Sequence, residues 1–346
     1  MYNLNRFKDK KVAIVGGAGF IGHNLALKLK NVGALPHVID SLQVNHLGYY
    51  TSKYIENKNS ERYIGFLNER LSLIRNSKIE LHIIDVRDYH IVSSVLSSIK
   101  PDYVIHLAAI AHANKSNKDP FSTFDHSLRT LENVLDAIKN SKTHLIYFSS
   151  SMVYGNFDGE DVEEDRVCNP LGIYGALKFG AEKLVIGYNQ VFELPYTIIR
   201  PSALYGERCV SRRVGQAFIE NAISGIPLTV NGDGSDSLDF TYIDDLLQGV
   251  LRCIENDNSI NQVFNITYGS GRKIMELADI VLDSFPGSKL ECKPRDSLMP
   301  ERGTLSIKKA KDLLGYNPQF PIEIGFKKYI EWYQLFSKDN PKFFNN

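Results

Sequence analysis

A tyrosine and a lysine four positions apart are the clearest candidates for chemistry in this chain of 346 residues. Tyr174 and Lys178 share one face if the segment between them is helical. Tyrosine, with an ordinary pKa of about 10, is a poor base at neutral pH, but a neighbouring ammonium stabilises its phenolate. The pair is therefore suited to take a proton from a substrate hydroxyl.

The context of this pair separates it from two other strings with the same spacing, at residues 49–53 and 54–58. Tyr174 opens an amphipathic pattern shortly after an apolar run that ends in Ser149, Ser150 and Ser151. A hydroxyl at the end of a strand can hydrogen-bond the reacting oxygen, while we expect at least one of the serines to satisfy turn backbone instead. The two other strings lie in an insertion, and we interpret them as coincidental.

Three glycines, Gly16, Gly19 and Gly22, separate the apolar run at 12–15 from a helical pattern at 24–30. A strand, a glycine turn and a helix start together present unpaired N–H groups to a pyrophosphate. Glycine permits the tight turn, the close approach of the ligand and the close packing of helix on strand. The segment therefore predicts a dinucleotide-binding site.

Asp40 follows the run at 37–39, about twenty residues after the glycine turn, where an acid can hydrogen-bond the adenosine ribose. A carboxylate there repels a 2′-phosphate, so NAD is favoured over NADP; an ordinary loop cap is the alternative. Asp85 and Ala108 also lie just past predicted strand ends, where a cofactor is expected.

The elements that must position these residues alternate along the first two thirds of the chain. Strands are predicted at 11–15, 37–39, 80–84, 103–107, 144–148 and 196–199, and helices at 24–30, 90–99, 121–139 and 174–191. This alternation predicts the α/β class, with a Rossmann-type doubly wound parallel sheet and a smaller mixed C-terminal substrate-binding domain. We predict an NAD-binding domain at 1–200 and a mainly substrate-binding domain at 201–346 that returns segments to the sheet. An insertion at about 41–78 is interpreted as a partner surface or a lid.

Composition excludes several classes of function. Forty Lys and Arg balance forty Asp and Glu, which disfavours nucleic acid or an anionic membrane as the main partner. The four cysteines show neither paired nor metal-ligand spacing, which predicts no metal and a reducing, cytoplasmic environment. We find no signal-peptide pattern and no apolar run long enough to span a membrane.

Together with further motifs, these residues make the chain resemble the extended short-chain dehydrogenase/reductases. The most similar group is the NAD-dependent epimerase/dehydratase family, which acts on nucleotide sugars. The resemblance runs in order through nearly the whole chain, in the motifs at 85–88, 106–109, 153–155, 200–208, 227–235, 239–245, 308–316 and 332–333.

The resemblance implies a role for each site residue. Tyr174 is the expected base, Lys178 its partner and a ligand of the nicotinamide ribose, and Ser150 the hydroxyl beside the reacting carbon, with Ser151 also toward substrate. The implied cofactor-binding residues are Gly16, Gly19, Phe20, Ile21, Gly22, Asp40, Asp85, Val86, Leu107, Ala108, Ala109 and Ser149, with Tyr174 and Lys178. A homodimer through helices resembling 121–139 and 174–191 is also implied.

The chain departs from the family pattern at positions that bear on the reaction and on substrate binding. Ser151 and Met152 stand where dehydratases place Asp and Glu, which disfavours a 4,6-dehydratase. Leu238 and Ala203 replace the expected arginine and asparagine of the diphosphate site. Because a diphosphate is best held by arginine, the candidate replacements are Arg208, Arg212, Arg213 and Arg302. His126 is interpreted as a helix buttress, with a proton relay as the alternative.

These observations predict an NAD-dependent nucleotide-sugar epimerase, acting at C4 through a transient keto-sugar. Two alternatives stay open. One is an NAD(H)-dependent 4-dehydrogenase or ketoreductase, which would use the same residues. The other is a non-catalytic NAD(H) sensor with the insertion as its partner surface.

Overall fold

A seven-stranded parallel sheet forms the centre of the computed structural model, which describes residues 2–43, 47–51, 59–110, 113–159, 161–295 and 299–344. The strands are β1 (Lys11–Val15), β2 (Leu35–Asp40), β3 (Glu80–Ile83), β4 (Tyr103–His106), β5 (His144–Phe148), β6 (Tyr196–Arg200), β7 (Leu204–Tyr205), β8 (Leu228–Asn231), β9 (Ser237–Asp239), β10 (Thr241–Tyr242), β11 (Gln262–Asn265), β12 (Gly271–Lys273) and β13 (Leu290–Lys293). The large sheet has the order β11-β6-β5-β4-β1-β2-β3, and the other strands form three two-stranded pairs. This is a Rossmann-type sheet, as the alternation of elements predicts.

Helices cover both faces of the sheet. They are α1 (Phe20–Asn31), α2 (Leu47–Thr51), α3 (Ser60–Asn76), α4 (Tyr89–Ile99), α5 (Ala113–Lys118), α6 (Pro120–Phe124), α7 (Thr130–Ile138), α8 (Gly172–Phe192), α9 (Val214–Ile223), α10 (Ile243–Glu255), α11 (Ile274–Ser284), α12 (Lys308–Leu314) and α13 (Ile322–Asp339). Within the described part of the chain, no helix combines the length and apolar character that crossing a bilayer would require.

The central strand β1 contributes to two separate cores. Val12 and Ile14 belong to the larger core together with Leu25 of α1. Ala13 and Val15 belong to the other core, with side chains of α4, α7 and α8. Successive side chains of a strand point to opposite faces, so an uninterrupted apolar run is what a strand covered on both sides requires.

One predicted helix differs from the structure, and one strand of the large sheet is missing from the prediction. The helix predicted at 121–139 is divided into α6, a π-helical turn at Asp125–Arg129, and α7. Here the Thr130 hydroxyl donates to the His126 carbonyl, and His126 Nδ1 lies 2.9 Å from the Ser122 carbonyl. Strand β11 was not predicted individually; it follows residue 200 and pairs in parallel with β6. The division of the chain into domains at residue 200 stays a prediction.

The described part of the insertion packs against the C-terminal helix. The Phe66 ring of α3 lies 4.8 Å from Trp332 and 5.0 Å from Phe336. Gly65 permits the close approach of the turn that follows this helix, because a Cβ built there would lie 2.6 Å from the Phe343 ring. Residues 44–46 and 52–58, which include most of the two coincidental tyrosine–lysine strings, lie outside the described residues.

A buried carboxylate, Glu220 of α9, joins the insertion to the rest of the molecule. It is 1% exposed, and burial raises its pKa. Five side chains donate hydrogen bonds to it at 2.8–3.2 Å: Asn59 and Tyr63 from the insertion, Arg212, Gln216, and Tyr333 of α13. One carboxylate therefore holds four parts of the chain together.

We expect Glu220→Gln to lower the free energy of unfolding by about 2–4 kcal/mol, because the amide places an NH2 group against donors that need an acceptor. Urea titration followed by circular dichroism measures the change. The matched control is Glu61→Gln on the exposed part of α3, with an expected change below about 0.5 kcal/mol. Equal stability of the two variants would show that Glu220 does not hold these elements together.

Candidate active site

One large cavity, of about 890 Å³, opens at the carboxyl ends of the central strands. Open α/β sheets bind ligands at this edge because the strand ends and helix starts meet there. Of the predicted site residues, all except Arg208 line this cavity: Gly16, Gly19, Phe20, Ile21, Gly22, Asp40, Asp85, Val86, Leu107, Ala108, Ala109, Ser149, Ser150, Ser151, Tyr174, Lys178, Arg213 and Arg302.

The glycine turn forms one wall of the cavity. Gly16 has a φ of +79°, and a Cβ built there would lie 2.7 Å from the Ala108 nitrogen. The chain after β4 can therefore pass directly against the turn. Helix α1 begins at Phe20 and has no side-chain cap, so its first N–H groups are available to an anionic ligand.

Two acidic residues stand at the ends of neighbouring strands on the same side of the cavity. The Asp40 carboxylate accepts hydrogen bonds from the Ala18 N–H at 3.0 Å and the Leu42 N–H at 2.8 Å. Each of its oxygens uses one lone pair in this way and keeps another for a ligand hydroxyl. Asp85 is paired with Arg87, whose hydrogen bonds lower the pKa of that carboxyl.

Lys178 is anchored rather than free in the cavity. Its Nζ donates to the Phe148 carbonyl at 2.6 Å and lies 5.0 Å from the centre of the Tyr147 ring. Burial lowers the pKa of Lys178 to about 8, and Glu182 one turn further along α8 opposes this effect. The ammonium is thus held at the end of β5, one turn from Tyr174.

Helix α8 approaches the turn at residues 149–153, called here the serine turn, closely enough to bring Tyr174 beside it. A Cβ built at Gly175 would lie 2.8 Å from the Met152 carbonyl oxygen, so this approach requires glycine. The turn itself is held to β6, because the Ser149 N–H donates a hydrogen bond to the Ile199 carbonyl oxygen at 2.8 Å. Two rigid elements therefore position the phenol and the serines.

The serines differ in what their hydroxyls contact. Ser150 Oγ accepts a hydrogen bond from the Met152 N–H at 3.2 Å, which is the turn-satisfying role expected of at least one serine. Ser149 Oγ is buried and has no hydrogen-bond partner among the described residues. A buried hydroxyl without a partner is costly, so Ser149 is ready for a polar group of a ligand.

His126 lies in the π-helical turn and lines the cavity. Its Nδ1 contact with the Ser122 carbonyl is the buttressing contact that the sequence suggests. π-Helical turns often occur at functional sites, and this one also brings Thr130 to the cavity wall.

The half of the cavity formed after residue 200 carries much of its positive charge. Among the described residues, the cavity is lined by six cationic side chains and three carboxylates. The cations are Arg70, Arg212, Arg213, Arg295, Arg302 and Lys178, and the carboxylates are Asp40, Asp85 and Asp236. Arg302 Nε is buried without a hydrogen-bond partner among the described residues, and burial, reinforced by Arg213, lowers the pKa of this guanidinium to about 10. Such a site favours an anionic ligand.

Arg208 has a different position from the one predicted for it. Its guanidinium donates to His23 and Asn24 of α1 and pairs with Glu69 of α3 at 3.2 Å. It also lies 5.9 Å from the Trp332 ring centre, and it does not line the cavity. Arg208 therefore joins α1, the insertion and α13, at a position outside the cavity lining.

Sequence reasoning missed part of the lining. Arg70 comes from the insertion, donates to the Arg208 carbonyl, and reaches the cavity from a helix whose pattern is that of an ordinary amphipathic helix. Leu238 and Ala203, which replace the expected polar residues, also line the cavity. An aromatic group joins them: Phe218, Phe240, Phe326, Tyr205 and Tyr329. These residues are far apart in the sequence, and no local motif connects them.

Several known proteins are similar to this chain over nearly its whole length. A putative UDP-glucose 4-epimerase of Methanocaldococcus jannaschii is 28% identical over 330 residues, covering 93% of this chain and 97% of that protein. A UDP-glucuronate 4-epimerase of Thermodesulfobacterium geofontis is 27% identical over 335 residues, covering 94% and 96%.

Among solved structures, the UDP-glucuronic acid 4-epimerase of Bacillus cereus, in complex with UDP-glucuronic acid and NAD, has a TM-score of 0.82 at 28% identity. The alignment covers 94% of this chain and 99% of that one. The family model for NAD-dependent epimerases and dehydratases matches residues 12–267, from the first strand through the glycine turn, the serine turn and the tyrosine–lysine pair. This chain belongs to the NAD-dependent epimerase/dehydratase family.

Proposed function

We propose that this protein is a nucleotide-sugar 4-epimerase that uses NAD⁺. One observation carries the proposal: Tyr174 and Lys178 stand against the serine turn in a cavity that also contains the dinucleotide-type glycine turn and an arginine-rich half. The similar proteins named UDP-glucose and UDP-glucuronate 4-epimerases support a UDP-sugar as the substrate and C4 as the reacting carbon.

The cavity fits NAD. The start of α1 has no side-chain cap and offers its N–H groups to a pyrophosphate, Asp40 keeps lone pairs for ribose hydroxyls, and the buried Ser149 Oγ has no partner among the described residues. The acidic side chain at position 40 also repels a 2′-phosphate, which supports NAD over NADP. When bound, the cofactor would supply a hydride acceptor in its oxidised form and a hydride donor in its reduced form.

In this mechanism Tyr174 moves the proton. Its phenolate takes the proton from the sugar hydroxyl. It returns the proton to the keto oxygen after the keto-sugar has rotated in the cavity. Lys178, fixed by the Phe148 carbonyl, stabilises the phenolate by its positive charge. Ser150, and Ser149 beside it, line the same cavity, and we propose that they hydrogen-bond the reacting oxygen.

The residues next to this set do not supply a second acid–base pair. Ser151 and Met152 lie in the serine turn and line the same cavity. A hydroxyl and a thioether cannot remove and donate protons at neutral pH as a carboxyl pair can. This favours epimerisation over 4,6-dehydration.

The diphosphate is proposed to bind Arg302 and Arg213. Arg302 offers a buried Nε that lacks a partner among the described residues, and both side chains line the cavity. Arginine presents forked donors that match phosphate oxygens. These two residues would supply the hydrogen-bond donors to the diphosphate that Leu238 and Ala203 lack.

A homodimer is proposed through α8. One face of this helix presents Ile173, Ala176, Gly180, Leu184, Gly187 and Val191, at spacings of three and four. Val191 is 72% exposed and Leu184 41%, and a Cβ built at either glycine would meet no atom within 4 Å. An exposed apolar stripe with two glycines permits close packing of a second helix.

Cytoplasmic location is also proposed. Cys168, Cys209, Cys253 and Cys292 are all free thiols in the structure. Unpaired cysteines are typical of proteins in a reducing compartment.

Incubating the protein with NAD⁺ and UDP-glucose, UDP-glucuronate or UDP-N-acetylglucosamine is expected to convert one of them to its C4 epimer, with no net NADH. Tyr174→Phe should lower kcat at least about 10²-fold, because it removes the proton carrier. Chromatography of the sugar nucleotides measures both the conversion and the kcat of the variant. Tyr188→Phe, nearly three turns beyond Lys178 on α8, is the control and should keep full activity. Accumulated NADH or keto-sugar would indicate a dehydrogenase, and a biochemical activity that survives Tyr174→Phe would indicate a sensor.

Arg302→Met is expected to raise the KM for the sugar nucleotide by about 10- to 100-fold, because it removes charge-assisted hydrogen bonds. The dissociation constant of NAD⁺ should stay unchanged, which fluorescence titration can measure. Arg129→Met removes an exposed arginine that pairs with Glu132 and should leave both constants unchanged. An unaltered KM in Arg302→Met would remove Arg302 from the diphosphate site.

Leu184→Glu is expected to yield monomers, because it places a charge in the middle of the apolar stripe. Light scattering after size-exclusion chromatography reports the mass. Lys183→Glu changes the adjacent exposed position outside the stripe and should leave the dimer intact. A wild-type protein that is monomeric at micromolar concentration would contradict the proposal directly.

A further inference from the structure

Two histidines and a glutamate meet on one face of the sheet at its outer edge. His37 belongs to β2, and Glu80 and His82 belong to β3. His37 is in register with Glu80, and His82 follows two residues later, so all three side chains leave the same face. None of them lines the active-site cavity.

The donor atoms of this cluster are separated by distances that suit a single metal ion. His37 Nδ1 lies 3.4 Å from His82 Nε2 and 3.1 Å from a Glu80 carboxylate oxygen, which in turn lies 3.6 Å from His82 Nε2. Tetrahedral coordination at about 2.0–2.2 Å places neighbouring ligand atoms about 3.3–3.6 Å apart. The three measured separations lie around that value.

The chemistry of the donors selects the class of ion. Two imidazoles and a carboxylate suit borderline dications such as Zn²⁺, whereas Mg²⁺ and Ca²⁺ prefer oxygen ligands alone. The nearby cation, Lys11, is engaged by the Ile99 carbonyl at 3.0 Å.

The surroundings leave the cluster accessible. The side chains of His37 and His82 are 15% and 27% exposed, so their rings are held by neighbours, while the Glu80 side chain is 69% exposed. An ion could therefore enter from solvent, and water could occupy a fourth coordination position. Its ligands would join β2 to the edge strand β3.

We propose that His37, Glu80 and His82 form a binding site for a divalent transition-metal ion of the Zn²⁺ class, with water completing its coordination. The site is separate from the catalytic cavity and does not depend on the proposed epimerase activity. Because the ion binds the folded arrangement of two strands, it should stabilise the protein against unfolding.

The test measures Zn²⁺ binding to the full chain by isothermal titration calorimetry. Thermal unfolding is then compared with and without Zn²⁺. The protein carries Cys292→Ser, because an exposed thiol would also bind zinc. We expect one ion per chain, a higher unfolding temperature with Zn²⁺ than without it, and no effect of Mg²⁺. His82→Ala and Glu80→Gln should each weaken Zn²⁺ binding by about tenfold or more, equivalent to about 1.4 kcal/mol.

His90→Ala is the matched control, since His90 is an exposed histidine on α4 and should leave the affinity unchanged. Thermal unfolding without metal shows whether each variant is as stable as the parent protein. Zinc affinity that is equal in His82→Ala, Glu80→Gln and His90→Ala would place the ion elsewhere and overturn the proposal. So would the lack of any Zn²⁺ binding at about 100 µM. Neither outcome would bear on sugar-nucleotide turnover, which is measured separately.

Discussion

The hydrogen bond between the Lys178 ammonium and the Phe148 carbonyl is the contact on which the active site depends. It joins the first turns of α8 to the last residue of β5, and thereby fixes the phenol of Tyr174 relative to the serine turn. The ammonium is buried, which costs free energy that a single carbonyl and the Tyr147 ring offset only in part. A buried charge without full compensation attracts further negative charge, and the phenolate that the mechanism needs is such a charge.

A second network supports the other half of the cavity. Glu220 receives donors from the insertion, from α13 and from Arg212, whose side chain reaches the cavity. Arg208 performs a similar task for α1, α3 and α13. The segment between β2 and β3 is thus integrated into the molecule through polar contacts with residues that lie more than a hundred positions away. Its described part contributes Arg70 to the wall of the cavity.

Much of the sheet could be predicted because a strand covered on both faces must be apolar along its length. The bounds predicted at 11–15 and 144–148 coincide with β1 and β5. The glycine turn, Asp40 and the Tyr174–Lys178 pair could be predicted because each combines a local spacing with a position beside a predicted strand. Arg208 and Arg70 could not be placed in this way. Both are arginines in ordinary polar surroundings, and only the tertiary structure decides which one meets a carboxylate and which one faces the cavity.

The π-helical turn at Asp125–Arg129 has a consequence for how this wall tolerates change. A π turn contains one residue more than the α-helical turn it replaces, and one residue corresponds to about 100° of rotation about the axis. Deleting a single residue there would restore an uninterrupted helix from α6 through α7. It would also change the orientation of His126 relative to Thr130, and both residues line the cavity. Length in this short stretch is therefore constrained by geometry, whatever the side chains are.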